Sequence, residues 1–132
     1  MSDHNRNLDQ IQKDIEFANN YRLEAIKHLM SVAAGIFVFS VAFMKDVIPT
    51  GSTVTLKWAL GWSWGLLLLS LLAGIILMKL WGKFYASYRK SNDEGLRRRK
   101  QINPYHIAAE TVHLGSFFIG VGLMAAFAIS NL

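Results

Sequence analysis

The sequence predicts an all-α membrane protein: three transmembrane helices, the first two extended into the cytoplasm, packed as a homo-oligomer. Three observations predict it. The apolar residues, 52% of the 132-residue chain, are gathered into three runs, each long enough to cross the hydrocarbon core as helix. The second and third runs lack, over most of their length, the polar stripe that a soluble bundle requires. Finally, twelve of the fourteen lysines and arginines fall on one side of the two hairpins, and that excess marks the cytoplasmic face.

The first helix is expected over 7–48. Leu8, Ile11, Ile15, Ala18, Arg22, Ala25 and Leu29 follow the alternating three- and four-residue spacing of a coiled-coil seam, interrupted by Arg22. No Gly or Pro interrupts the chain before the apolar run "LMSVAAGIFVFSVAFM", so the amphipathic segment runs on into the first span. The seam has two candidate partners, the chain's own second helix and a second copy. Leu8, Ile11, Ile15, Arg22 and Gly35 are the residues expected between copies. Pro49, Gly51 and Ser52 then break the hairpin.

The second helix is expected over 54–91. It contains "WALGWSWGLLLLSLLAGIILMKLWG", with Lys79 its only charge. Trp58, Trp62 and Trp64 mark one interface; Trp81, Phe84, Tyr85 and Tyr88 mark the other, with Lys79 able to snorkel. "SNDEG" ends the helix, and 92–103 is expected as a basic cytoplasmic loop. Asn103 and Pro104 read as an N-cap and first helical residue, opening a third span over 104–131. Ser31/Gly35, Gly61/Gly65, Ser70/Gly74 and Ser116/Gly120 are small residues four apart, suited to close helix contact.

This arrangement expects a multi-pass protein of the bacterial inner membrane, N-terminus cytoplasmic and C-terminus periplasmic or extracellular. The polar N-terminus is not a secretory signal peptide. With no cysteine in the chain, disulfide and thiolate chemistry are excluded.

Two polar features stand out. The third span opens on "PYHIAAETVHLG", where His106, Glu110, His113 and Phe117 fall in one stripe. Charge at membrane depth is costly, and several readings stay open. Glu110 pairs with Lys79, Lys83 or His28 in an interfacial cluster; or the stripe is a polar vestibule narrowing to an apolar gate. Alternatively His-x3-Glu-x2-His offers metal ligands, Glu-x-x-His resembling half of a di-iron site, or it relays protons. His28 lies at similar depth. The second feature is "EGLRRRKQINPY". Arg97, Arg98, Arg99 and Lys100, with Arg89, Lys90, Tyr85 and Tyr88, form a basic and aromatic rim. It fits anionic headgroups, or a nucleotide or single-stranded oligonucleotide.

The segments "EAIKHLMSVAAGIFVFSVAFMKD" and "HLGSFFIGVGLMAAFAISNL" resemble those of small three-span bacterial membrane proteins. More broadly, the architecture is similar to the membrane effectors of antiphage systems, of which the Hailong type, with its DNA-controlled channel, is one. The resemblance implies a signal read on the cytoplasmic side and a pore in the membrane, with the cytoplasmic enzyme that makes the signal as a partner. The expectation is therefore a ligand-gated, homo-oligomeric ion channel or membrane-perturbing effector, a tetramer by analogy with common channels. A membrane adaptor recruiting a soluble protein through its N-terminal helix, or a holin-like lesion former, is the alternative. No nucleophile–base pair or phosphate loop is present, so no enzyme activity, cofactor or resident metal is expected.

Overall fold

The computed structural model describes residues 2–46, 51, 53–87 and 92–132, and the side chains among these except those of 2–6 and 92. The described residues form three helices in sequence: α1 (Ser2–Asp46), α2 (Lys57–Ala86) and α3 (Asn92–Asn131). All three are long and apolar enough to cross a membrane.

α2 and α3 form an antiparallel hairpin whose register is legible from its contacts. Ser87 lies against Gly95, the Trp81 ring against His106, Ser70 on His113, Ser63 on Gly120 and Thr55 on Asn131. Two close approaches set the spacing. A Cβ on Gly74 would sit 3.0 Å from His113 and Met30, and one on Gly120 would sit 3.2 Å from Leu67. A glycine at each point lets the neighbouring helix in.

α1 packs mainly on α2 and barely touches α3. Its inner stripe is Ile26, Ala33 and Ser40, seven apart. Ala33 joins Leu67 and Phe117 in one apolar cluster. The Trp64 indole N–H donates to Ser40 Oγ at 2.7 Å, and Ser40 in turn donates to the Phe37 carbonyl. Further along, Arg22 lies over Trp81. By this register the end of α2 is level with about residue 18 of α1, and the preceding turns of α1 project beyond it by about 24 Å at 1.5 Å per residue.

At the opposite end a second cluster gathers Ala59, Leu60 and Phe127, with Leu56 and Trp64 against it. Leu56 precedes α2 in the left-handed region, φ 56°, a conformation that costs a leucine about 1–2 kcal/mol. The apolar cluster holds its side chain, and its carbonyl accepts from Ala59 N–H at 2.9 Å. Beside it, Asn131 clamps the entry to α2. Its Oδ1 accepts from Thr55 N–H at 2.9 Å, and its Nδ2 donates to the carbonyls of Thr55 and Phe127 at 2.8 Å each.

One expected element differs. The basic segment 92–103 is helix, not loop, and Pro104 lies inside α3 rather than at its start. Leu, Arg, Lys and Gln are strong helix formers, and Asp93 and Glu94 occupy the first turn, where the helix dipole favours acids. Pro104 gives up the N–H that would have reached the Lys100 carbonyl and crowds that carbonyl with its ring, yet α3 continues through it. The ends expected at 48 and 91, and the breakers Pro49 and Ser52, lie outside the described residues.

Candidate functional site

The stripe that opens the third apolar run is divided by the structure. His106, His113 and Phe117 are buried against α2, while Glu110 is exposed. His113 is 1% exposed, and its ring and backbone form a reciprocal bridge to Ser70. His113 Nδ1 donates to the Ser70 carbonyl at 2.8 Å, and Ser70 Oγ donates to the His113 carbonyl at 2.9 Å. The other ring nitrogen is Nε2. That atom is shut off from solvent and has no hydrogen-bond partner.

His106 sits in an aromatic nest. Trp81 lies 4.1 Å away between ring centroids and Phe84 5.4 Å away. The other face of this nest is capped by α1, whose Arg22 guanidinium rests 4.4 Å from the Trp81 ring centroid. Arg22, which interrupts the coiled-coil seam, is thus engaged within the chain.

Between the three helices at this level lies a cavity of about 130 Å³. α1 contributes Arg22, Ile26 and Leu29, α2 contributes Leu77 and Trp81, and α3 contributes Glu110, His113 and Leu114. The lining is largely apolar with a few convergent polar groups, the usual composition of a small-ligand site. Arg22 and Glu110 line the same space, yet no ion pair within 4.0 Å joins Glu110 to any cation among the described residues. Lys79, Lys83 and His28 therefore do not neutralise it. His28 is exposed, and its ion-pair partner is Glu24, at 3.9 Å. Among the described residues no three metal-binding side chains converge.

The basic residues take a different form from a loop. On α3 the four cations Arg97 to Lys100 fan around the helix, about 100° apart. Arg97, Arg98 and Lys100 are exposed and Arg99 is half-buried. Arg98 pairs with Glu94 one turn back, at 3.7 Å. A shallow depression runs along Arg97, Lys100 and Gln101 beside Asp93. Arg89, Lys90 and Tyr88 lie outside the described residues. Of the residues expected between copies, Leu8 and Ile11 are exposed and Ile15 is half-buried. Gly35 faces outward, with nothing within 4 Å of where its Cβ would stand.

Sequence reasoning passed over Ser63 and read Ser70 only as a small residue paired with Gly74. Ser63 and Ser70 are seven apart and both fully buried, and the spacing that puts them on one face was visible. A hydroxyl inside a leucine run needs an acceptor; Ser116 finds one on its own helix, at the Val112 carbonyl, whereas Ser63 and Ser70 find theirs on α3. The Thr55–Asn131 clamp left no comparable signal. Comparison with known protein families, known proteins and solved structures returns no match.

Proposed function

We propose that the chain is a homo-oligomeric channel or membrane-perturbing effector of a bacterial inner membrane, with its N-terminus in the cytoplasm. In this reading it is gated there by an anionic ligand, a nucleotide or oligonucleotide. The observation that carries this reading is the continuity of α3. One helix runs from the cations Arg97 to Lys100 into the third apolar run without a break. Phosphate bound at those cations pulls directly on a span, with no loop to absorb the displacement. The outward-facing glycines Gly35, Gly61 and Gly65 supply places where neighbouring copies approach closely. His106, His113 and Phe117 are turned inward within one chain, so in this assembly a conducting path is lined by other residues.

The test is ion flux from liposomes holding the purified chain, with and without single-stranded oligonucleotides. Reversing Arg97, Arg98 and Lys100 to glutamate is expected to abolish the ligand response. It is expected to leave the protein folded, since all three side chains are exposed. Silence of the unaltered protein under every nucleotide and oligonucleotide tried would sink the reading.

A second reading has its own observation. Leu8, Ile11 and Phe17 are exposed on the projecting turns of α1, an apolar surface that also suits a soluble partner. An adaptor loses its function when residues 1–17 are replaced by a polar helix, whereas a channel retains conduction.

A further inference from the structure

We infer that the cleft between α1 and α3 binds one membrane phospholipid whose headgroup carries a phosphate and a primary ammonium. The inference requires only that the three helices lie in a bilayer; it is independent of conduction.

Two charges share a space without meeting. Arg22 and Glu110 both line the central cavity, and no ion pair within 4.0 Å forms between them. Arg22 is held back by the Trp81 ring, 4.4 Å from its guanidinium carbon. Donors therefore sit on the α1 side. An acceptor sits on the α3 side, the exposed Glu110, with His113 lining the same space. An anion alone would satisfy Arg22 and be repelled by Glu110; a cation alone would meet the reverse. A zwitterion satisfies both.

The acceptor side selects the kind of amine. A carboxylate takes N–H donors, which a primary ammonium has and a quaternary one lacks.

The walls select a lipid over a free solute. Leu29, Leu77 and Leu114 make most of the lining apolar. α1 and α3 barely touch, so the cleft is open sideways to hydrocarbon. The volume, about 130 Å³, is close to the roughly 150 Å³ that encloses a benzene ring. That admits a headgroup, with the acyl chains lying along the outer faces of α1 and α3. Trp81, Tyr85 and Arg22 are residue types suited to the headgroup level.

The test is native mass spectrometry of the full chain released from bilayers of equal phosphatidylethanolamine, phosphatidylcholine and phosphatidylglycerol. Phosphatidylethanolamine is expected to be retained at least about fivefold over the other two. Glu110→Gln is expected to erase that preference. Arg22→Gln is expected to lower retention of all three, and Lys79→Gln, an exposed cation outside the cavity, to change nothing. Circular dichroism checks that each variant stays helical. Equal retention by the unaltered protein, or a preference that survives Glu110→Gln, overturns the proposal. So does loss of preference in Lys79→Gln. Lipid found on single chains but absent from oligomers would place a second copy in the cleft instead. Equal retention of soluble phosphoethanolamine would make the ligand a free solute. Either result overturns the assignment.

Discussion

The α2–α3 interface and the α1–α2 interface are built from the same residue types and hold very differently. Between α2 and α3, Ser63 and Ser70 reach across to backbone carbonyls, at 2.7 and 2.9 Å. His113 answers with its own bond to Ser70, and Gly74 and Gly120 let side chains into van der Waals contact. Between α1 and α2, the described residues of a 45-residue helix offer one indole-to-hydroxyl bond, one cation over a ring, the Phe37–Trp64 ring pair and Met30 beside Gly74. The lesson concerns apolar surroundings, where burial of leucine against leucine adds little to helix association and close packing with cross-helix polar bonds does more. α2 and α3 carry these devices along their whole length, while α1 carries them at a few points.

The comparison is broken most directly by removing a large side chain from the tight region. Phe127 is fully buried, and Phe127→Ala is expected to lower stability by about 3 kcal/mol. Phe39, 68% exposed on α1, is expected to tolerate the same change within about 0.5 kcal/mol. Unfolding in mixed micelles, followed by tryptophan fluorescence, gives both numbers. Similar losses at the two sites would erase the distinction.

A smaller effect comes from adding volume. Gly120→Leu pushes into Leu66 and Leu67, already 3.3 and 3.2 Å from where its Cβ would stand, and is expected to cost about 2 kcal/mol. Gly122→Leu has open space around it. The same unfolding assay should find it neutral, and a fall in oligomer mass in detergent would then assign Gly122 to a contact between copies.

The smallest expected effects sharpen the comparison bond by bond. Ser70→Ala loses the hydroxyl half of the His113 bridge and is expected to cost about 1 kcal/mol. Trp64→Phe keeps most of the ring but loses the bond to Ser40. It is expected to cost less overall, about 0.5 kcal/mol, while widening the distribution of α1–α3 distances measured between spin labels. A Trp64→Phe protein with α1 held as firmly as before would show that ring packing, not the hydrogen bond, fastens α1.

The three apolar runs were legible because hydropathy over about 20 residues integrates many side chains, and single errors average out. Ends depend on one or two residues and were less legible. Asn103 and Pro104 spell a helix start, and the chain ignores them. The helix-forming residues from Leu96 to Gln101 outweigh one missing N–H, and the acids of the first turn sit ten residues upstream. The stripe of His106, Glu110, His113 and Phe117 was legible as a stripe. What each residue faces was not, because a 40° turn of the helix separates Glu110 from the buried line and only packing fixes the rotation. The Arg22–Trp81 stack joins residues 59 positions apart in sequence, and nothing local announces it.

The weak fastening of α1 also bears on how the protein is made. Chains leave the ribosome from the N-terminus, at roughly 5–20 residues per second. α1 therefore emerges first, and its inner stripe waits several seconds for α2. The best-bonded pair, α2 with α3, is completed only when Asn131, at the end of α3, has been added. Until then the nascent α1 is left to chaperones, insertion machinery and lipid, and a lesion that delays the final helix exposes the earliest one longest.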